Sequence, residues 1–356
     1  MSRFDGSEQT ARPRRGRRFE GLVVLSAVAL GGLLAHRLLP TLVAGLPSEM
    51  DRTGVILQAL RDPPGKPRAL VFGNSVVMNG VNARALRERL AEHPHTLNLA
   101  SSGQGILEAC LFYEEIPESV EVVVQGVFAH KLDELPCVRG NKYSALSTLG
   151  YEPAPSIREL LSRVGDPETR ARAEWSKPRH TFASRWIVRD VLTQLAERGR
   201  LPKRPRHVRN LFYPHPAHGK KAPEPAQVRR YYRGRGLGPN SQFLPKATMT
   251  DLLCHMKESC HRRHRQFVLV VLPVHPEFGK LVGPRYLDQL DRYVLALRQE
   301  HGLLVINCVN VLEHQYFCDP IHPNNEGAAV FTDLVAAKLD EMRVCSSTRT
   351  SSSSFR

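Results

Sequence analysis

None of the seven cysteines, Cys110, Cys137, Cys254, Cys260, Cys308, Cys318 and Cys345, forms a Cys-x-x-Cys pair. A thioredoxin-like redox site and the usual structural zinc patterns are therefore disfavoured. Cys308 and Cys318 are spaced to bridge the loop between them, although pairing cannot be deduced from sequence and an odd count leaves one thiol over. Acidic residues are also in short supply. Against 50 Lys and Arg there are 35 Asp and Glu, giving a net charge of +15 and a pI near 9.8. That balance favours contact with phospholipid headgroups, acidic glycans or nucleic acid, and charge alone does not choose among them. Missing too is any unbroken apolar run of the roughly 20 residues that cross a bilayer. The longest candidate, 21–35, is free of charge but stops at His36 and Arg37, and apolar character resumes over 38–46.

Arg37, near an end, can snorkel and let the whole segment span. Arg12, Arg14, Arg15, Arg17 and Arg18 precede it, and the positive-inside rule keeps such a cluster cytoplasmic. The expectation is a basic cytoplasmic tail over 1–20, a transmembrane anchor over 21–46, and a domain on the extracytoplasmic, periplasmic side. A cleavable signal peptide is the competing reading of the same run, and it too exports the domain.

A chain of 356 residues with 42% hydrophobic content is long enough for a sizeable core. After the anchor, 48–66 is expected to hold a juxtamembrane helix and the Pro-Pro-Gly-Lys-Pro turn that leads to the first strand. Short apolar runs at 68–72, 96–100, 120–127, 266–272 and 303–307 then alternate with helical spacing at 81–92, 105–115, 286–299 and 328–342. The Val-rich 120–127 run suits a strand covered on both faces. Such alternation predicts a doubly wound α/β sheet, whose ligands bind beyond the carboxyl ends of its strands. From 135 to 243 the rhythm breaks into a basic insertion. Helical spacing persists at 146–163 and 169–200, but 201–238 has no clear period. Residues 157–236 carry twenty Lys and Arg against seven acids, which fits a track for an anionic polymer or lipid headgroups, or else a solvated loop. The Ser-rich end, 346–356, reads as a disordered tail.

Two distant stretches carry chemistry. In Asp319-Pro-Ile-His322, on a Pro-punctuated loop before the last helical segment, the carboxylate is placed to orient the imidazole, which can then deprotonate a hydroxyl. A loop Asp and a surface His is the plainer reading. Ser75, in Gly73-Asn74-Ser75, follows the first apolar run at a strand-to-helix turn, which exposes the hydroxyl and supplies amide N–H groups for a developing oxyanion. By itself this is equally a polar cap. His255, His261 and His264 with Cys254 and Cys260 fit no zinc spacing and read as a solvated face. His275 in Pro-Val-His-Pro sits after the fourth strand, either lining the pocket or in a simple turn. Asn324 and Asn325 are candidate caps for the last helix.

Together, Gly73-Asn74-Ser75 after the first strand, Leu97-Asn98-Leu99-Ala100-Ser101-Ser102-Gly103 after the second, and Asp319-Pro-Ile-His322 before the last helix resemble the SGNH (GDSL-like) hydrolase and acyltransferase superfamily over residues 67–134 and 242–341. The resemblance implies a flavodoxin-like three-layer α/β/α sandwich with a five-stranded, mostly parallel sheet. It implies Ser75 as nucleophile, His322 as base, Asp319 as its orienting group, and the amides of Ser75 and Gly103 in the oxyanion hole. Asn74 stands where the family motif has Asp, and Gly126-Val127-Phe128 lacks the family's Asn, so Asn74, Gln125 or His130 is left to supply a side-chain donor. Membrane-anchored members that modify cell-surface polymers, such as the D-alanyl transfer protein of teichoic acid and the alginate O-acetylation proteins, are nearest in layout. The implied function is O-acyl transfer to a glycan or polymer from an acyl donor, with a membrane-embedded donor protein as a partner. No cofactor or metal is implied, and an exported domain leaves nucleic acid little share. An esterase or deacetylase, or a non-catalytic scaffold, are the alternatives.

Overall fold

The computed structural model describes residues 51–90, 92–138, 151–174, 209–216 and 221–351, with isolated positions elsewhere. The expected tail over 1–20 and nearly all of the anchor over 21–46 lie outside the described residues. Among those described, no helix is long and apolar enough to cross a membrane.

Helix α1 (Asp51–Arg61) leads into five parallel strands, β1 (Ala69–Phe72), β2 (Thr96–Asn98), β3 (Val122–Val127), β4 (Gln266–Val271) and β5 (Leu304–Asn307), in the order β2-β1-β3-β4-β5. Every residue of β1, β2 and β3 is buried, so the apolar runs show no alternation, as expected of strands covered on both faces. Each strand lies within a run read from the sequence and is shorter than it: at β2 and β4 the run continues into the turn that follows, and at β1, β3 and β5 it begins one or two residues before the strand. Between β1 and β3 the order reverses direction, which opens a crevice at the strands' carboxyl ends. Arg52, buried on α1, fixes the exit of β2. Its guanidinium donates to the carbonyls of Asn98 (2.6 Å), Ala100 (3.0 Å) and Asn210 (2.8 Å), and burial lowers its pKa to about 10.

The helices depart from expectation in several places, among them 146–163, where 151–154 is not helical and the helix begins at Pro155. The 81–92 periodicity begins too late, because α2 (Ser75–Gly80) already starts at the serine; it ends after Asn79-Gly80, two poor helix formers. Asn82 then caps a separate α3 (Ala83–Arg89), its Oδ1 accepting from the amides of Arg84 and Ala85. The 105–115 segment is only a short α4 (Ile106–Cys110) followed by a 3₁₀ turn. Beyond β3 lie α5 (Pro155–Val164), buried through Ile157, Leu160, Leu161 and Val164, and α6 (Pro167–Glu174).

Within 201–238, where no period was legible, α7 (Pro225–Arg233) forms with proline in its first turn. Only Val228 and Tyr232 are buried on it, and a single i, i+4 apolar pair among arginines is too weak a pattern to find by periodicity. The remaining helices are α8 (Ala247–His261), α9 (Pro276–Val282), α10 (Pro284–Gln299) and α11 (Asn325–Ser351). Asn324 caps α11 by accepting from the Gly327 amide at 2.9 Å, and the helix extends into the Ser-rich stretch as far as Ser351. No disulfide joins Cys308 to Cys318: both are buried thiols.

Candidate active site

The serine's place follows from local rules. At the end of β1 the chain turns sharply through Gly73 (φ +151°), where a β-carbon would meet Val77 Cγ2 at 2.4 Å. Asn74 is the N-cap of α2, its Oδ1 accepting from Val76 N–H at 3.0 Å. Ser75 therefore opens the helix, with its amide among those a helix leaves without an internal acceptor. Asn98 at the end of β2 closes the other end of α2, donating to the carbonyls of Val77 (3.1 Å) and Val81 (2.8 Å).

The second turn is stapled to the first. Ser101 N–H donates to Gly73 O at 3.0 Å, and Gly73 N–H donates to Gln104 Oε1 at 2.8 Å. Gly103 lies between these two links with φ +65°, a left-handed conformation that glycine adopts without strain. Among the described residues neither the Ser75 nor the Gly103 amide has an acceptor. Both residues line one pocket of about 140 Å³, together with Gly126, His130, Tyr231 and Arg235.

The third part comes from 247 residues further along the chain. A bridge between Phe317 and Pro323 and the Cys318 N–H to His322 O bond (2.9 Å) close a tight loop. Asp319 Oδ1 accepts from the amides of Ile321 (3.0 Å) and His322 (2.8 Å), while Oδ2 lies 2.7 Å from His322 Nδ1. A carboxylate only accepts, so Nδ1 carries the proton and Nε2 has a free lone pair. That lone pair faces Ser75 Oγ at 2.8 Å. Burial pushes the Asp319 carboxyl up, but the bonds from the His322 ring and from the two amides outweigh it and hold the pKa below its ordinary value. A hydroxyl, an imidazole and an ionised carboxylate in this order can transfer the hydroxyl proton to the ring as the oxygen attacks an electrophile.

No protein-family model matches the chain. No curated protein matches it either. A solved structure from Bacteroides fragilis, provisionally described as an acylhydrolase, is similar over 80% of this chain and 94% of its own, at 12% identity and a TM-score of 0.37. A likeness that loose carries no argument, and the chemistry rests on the geometry alone.

Of the residues read from the sequence, Ser75, Asp319 and His322 are brought together, and Gly103 and Asn74 lie beside them at the pocket. Gln125 is not there. It is buried in β3, with Nε2 donating to Gly126 O at 3.0 Å, and is absent from the pocket lining. His130 does line the pocket; burial, helped by the charges of Lys131 and Arg235, lowers its pKa to about 3 and keeps it neutral. In the sequence Tyr231, with Tyr232 and Arg233 beside Arg229 and Arg230, reads as a cluster able to stack on sugars or bases, and the structure places Tyr231 in the pocket lining. Gln104 and Arg235 are not singled out by the sequence: Gln104 stands next to Gly103 and was within reach of inspection, whereas the α7 segment shows no helical period.

His275 is not in the pocket lining. It caps α9, with Nδ1 accepting from Glu277 N–H at 3.1 Å, and its Nε2–H therefore donates to His314 Nδ1 at 2.9 Å. Its ring packs on Phe317 at the start of the triad loop, 5.0 Å between centroids. Burial, then the neighbouring His314, lowers the His275 pKa from 6.5 to about 4. The unfolded chain thus binds this proton more tightly than the folded one. Stability from His275 is full above pH 6.5 and is lost as pH falls toward 4. His275→Asn keeps the cap acceptor without titrating. Thermal melts across that window should show a shallower acid slope for the variant than for the wild type, and parallel slopes would refute the assignment.

Proposed function

We propose that the protein is a serine-dependent acyl-group enzyme of the SGNH type, built on a flavodoxin-like sheet. The observation that supports it is the continuous chain of hydrogen bonds from Asp319 through His322 to Ser75, with two unengaged amides at the same pocket. Ser75 Oγ attacks the acyl carbonyl as His322 Nε2 takes its proton, and Asp319 stabilises the imidazolium. The amides of Ser75 and Gly103 donate to the tetrahedral oxyanion. His322 then returns the proton to the leaving alkoxide, giving an alcohol and acyl-Ser75. In the second half His322 deprotonates water or an acceptor hydroxyl, which attacks acyl-Ser75 and releases an acid or a new ester. A pocket of about 140 Å³ favours a short acyl group, since an engineered apolar cavity of roughly that size holds one benzene.

Transfer to a glycan or polymer hydroxyl is the preferred second half. The basic segment between β3 and β4 and the membrane anchor read from 21–46 favour an exported enzyme held near an anionic surface or polymer, with a membrane protein supplying the acyl group. A serine-reactive fluorophosphonate should label the wild type, fail to label Ser75→Ala, and label His322→Ala at least tenfold more slowly. Absence of labelling in the wild type would instead favour a non-catalytic scaffold. Turnover of p-nitrophenyl acetate that rises on adding a hydroxyl acceptor would identify a transferase, and indifference to acceptors an esterase.

A further inference from the structure

We infer that the site acts on esters carrying a carboxylate or phosphate close to the scissile bond, and that Arg235, seated on Tyr231, is the group that reads that charge. The inference deepens the Ser75 acyl-enzyme reading and rests on it.

A run of arginines on a surface helix is usually a solvated face, but α7 is pinned. Tyr232 is buried with its ring 5.0 Å from that of Phe278, and its hydroxyl donates to Pro320 O at 3.4 Å. Arg229 pairs with the buried Glu277 at the start of α9. The helix is thus fastened to the very loop that holds Asp319 and His322, and whatever it presents to the pocket is in register with the base. It presents Tyr231, and just past its end Arg235 sits in a turn tied back to the helix, its amide donating to Tyr232 O at 3.0 Å. The guanidinium carbon lies 4.5 Å from the Tyr231 ring centroid, a cation–π contact that orients the planar fork in advance.

The charge at the pocket is unbalanced. Lys131, the other cation in the lining, is taken up by Glu134. His130 is held neutral by burial, and the positive charge of Arg235 adds to that effect, so its field reaches into the pocket. Among the described residues Arg235 has no carboxylate partner. A guanidinium that is oriented, unmatched, and on the wall of a pocket that also holds a serine nucleophile suits bidentate capture of a carboxylate or phosphate on the substrate.

The experiment compares kcat/KM of the full chain for three esters: p-nitrophenyl acetate, neutral; mono-p-nitrophenyl succinate, with the acid in the acyl half; and 4-acetoxybenzoate, with the acid in the alcohol half. The wild type should prefer one anionic ester over the neutral one, and that preference should shrink with added salt. Arg235→Gln should lower the anionic-to-neutral ratio about tenfold, the worth of one charged hydrogen bond, and Arg235→Glu should lower it further. Arg233→Gln, two residues earlier and absent from the lining, should leave the ratio where it was. Whichever anionic ester responds tells which half carries the acid. Inorganic phosphate should slow fluorophosphonate labelling of the wild type more than that of Arg235→Gln. Normal labelling and normal acetate turnover with a ratio that Arg235→Gln does not move would overturn this inference alone. No labelling and no turnover of any ester would overturn it together with the acyl-enzyme reading.

Discussion

Asp319→Asn is expected to lower kcat for ester turnover by on the order of 10³ to 10⁴-fold while the protein stays folded. The two carboxylate oxygens do different work. Oδ1 holds the loop by accepting from the Ile321 and His322 amides, and the asparagine carbonyl oxygen can take over both bonds. Oδ2 sets the tautomer of His322 through Nδ1. An amide NH₂ in its place offers a donor where an acceptor is required, so the ring reverses its proton and Nε2 no longer accepts from Ser75. The base is lost while the loop survives. Asp319→Ala removes both functions and should lower stability as well, since two amides lose their acceptor. Because Asp319 is held below its ordinary value of 3.8, its contribution to stability is present above that pH and is lost only as pH falls through the lower folded value. The asparagine keeps the amide part of that contribution and loses the part made by the His322 ring, so Asp319→Asn should melt somewhat below the wild type near neutral pH, and the two should converge as pH falls through that value. Retention of more than a tenth of wild-type kcat would sink the assignment of Asp319 as the orienting group.

What was legible in the sequence is what depends on neighbours in the chain. An apolar run closed by Gly-Asn-Ser marks a strand, a turn and a helix start, and Asp and His three residues apart on a Pro-bounded loop fall within reach of each other. The meeting of Ser75 with His322 was an inference from the order of parts, and the 2.8 Å contact is its geometric outcome. The rest depends on partners far along the chain. Arg52, Asn98 and Gln104 appear ordinary in sequence, yet between them they hold α1, α2 and the two turns that carry Ser75 and Gly103 in register. Nothing local announces a buried arginine whose acceptors are carbonyls 46 to 158 residues distant. The choice among Asn74, Gln125 and His130 was open for the same reason: Gln125 lies within β3 and His130 beyond its end, and only the packing decides which side chain faces the pocket. Helix α7 was missed because it is fastened by tyrosine contacts and an ion pair to α9 rather than by an apolar stripe.

Gly126→Ala is expected to destabilise the fold by about 1–3 kcal/mol and to reduce activity by more than that loss explains. Where α2 crosses β3, a β-carbon on Gly126 would meet Val77 Cγ2 at 2.4 Å and Leu272 Cδ2 at 3.0 Å. Leu272 has a flexible side chain and can yield. Val77 cannot: it is 1% exposed and branched at Cβ, so its χ1 has no second comfortable position against the surrounding atoms. Gly73 faces the same methyl, a β-carbon there also lying 2.4 Å from Val77 Cγ2. The two glycines therefore form a slot into which the first turn of α2 is pressed, and Ser75 is two residues from the side chain that fills it. Added bulk at 126 must lift that turn, and a few tenths of an ångström at Val77 is carried to the Ser75 Oγ that faces His322 at 2.8 Å. Val77→Ala alone should cost about 2 kcal/mol through the cavity it leaves. In the double variant the new methyl occupies part of that space, so the loss should fall short of the sum by about 0.5–3 kcal/mol, and kcat should recover relative to Gly126→Ala. Urea denaturation midpoints and kcat for the four proteins complete the cycle. Strict additivity in stability, with kcat no better in the double variant, would mean that the slot does not set the position of the nucleophile.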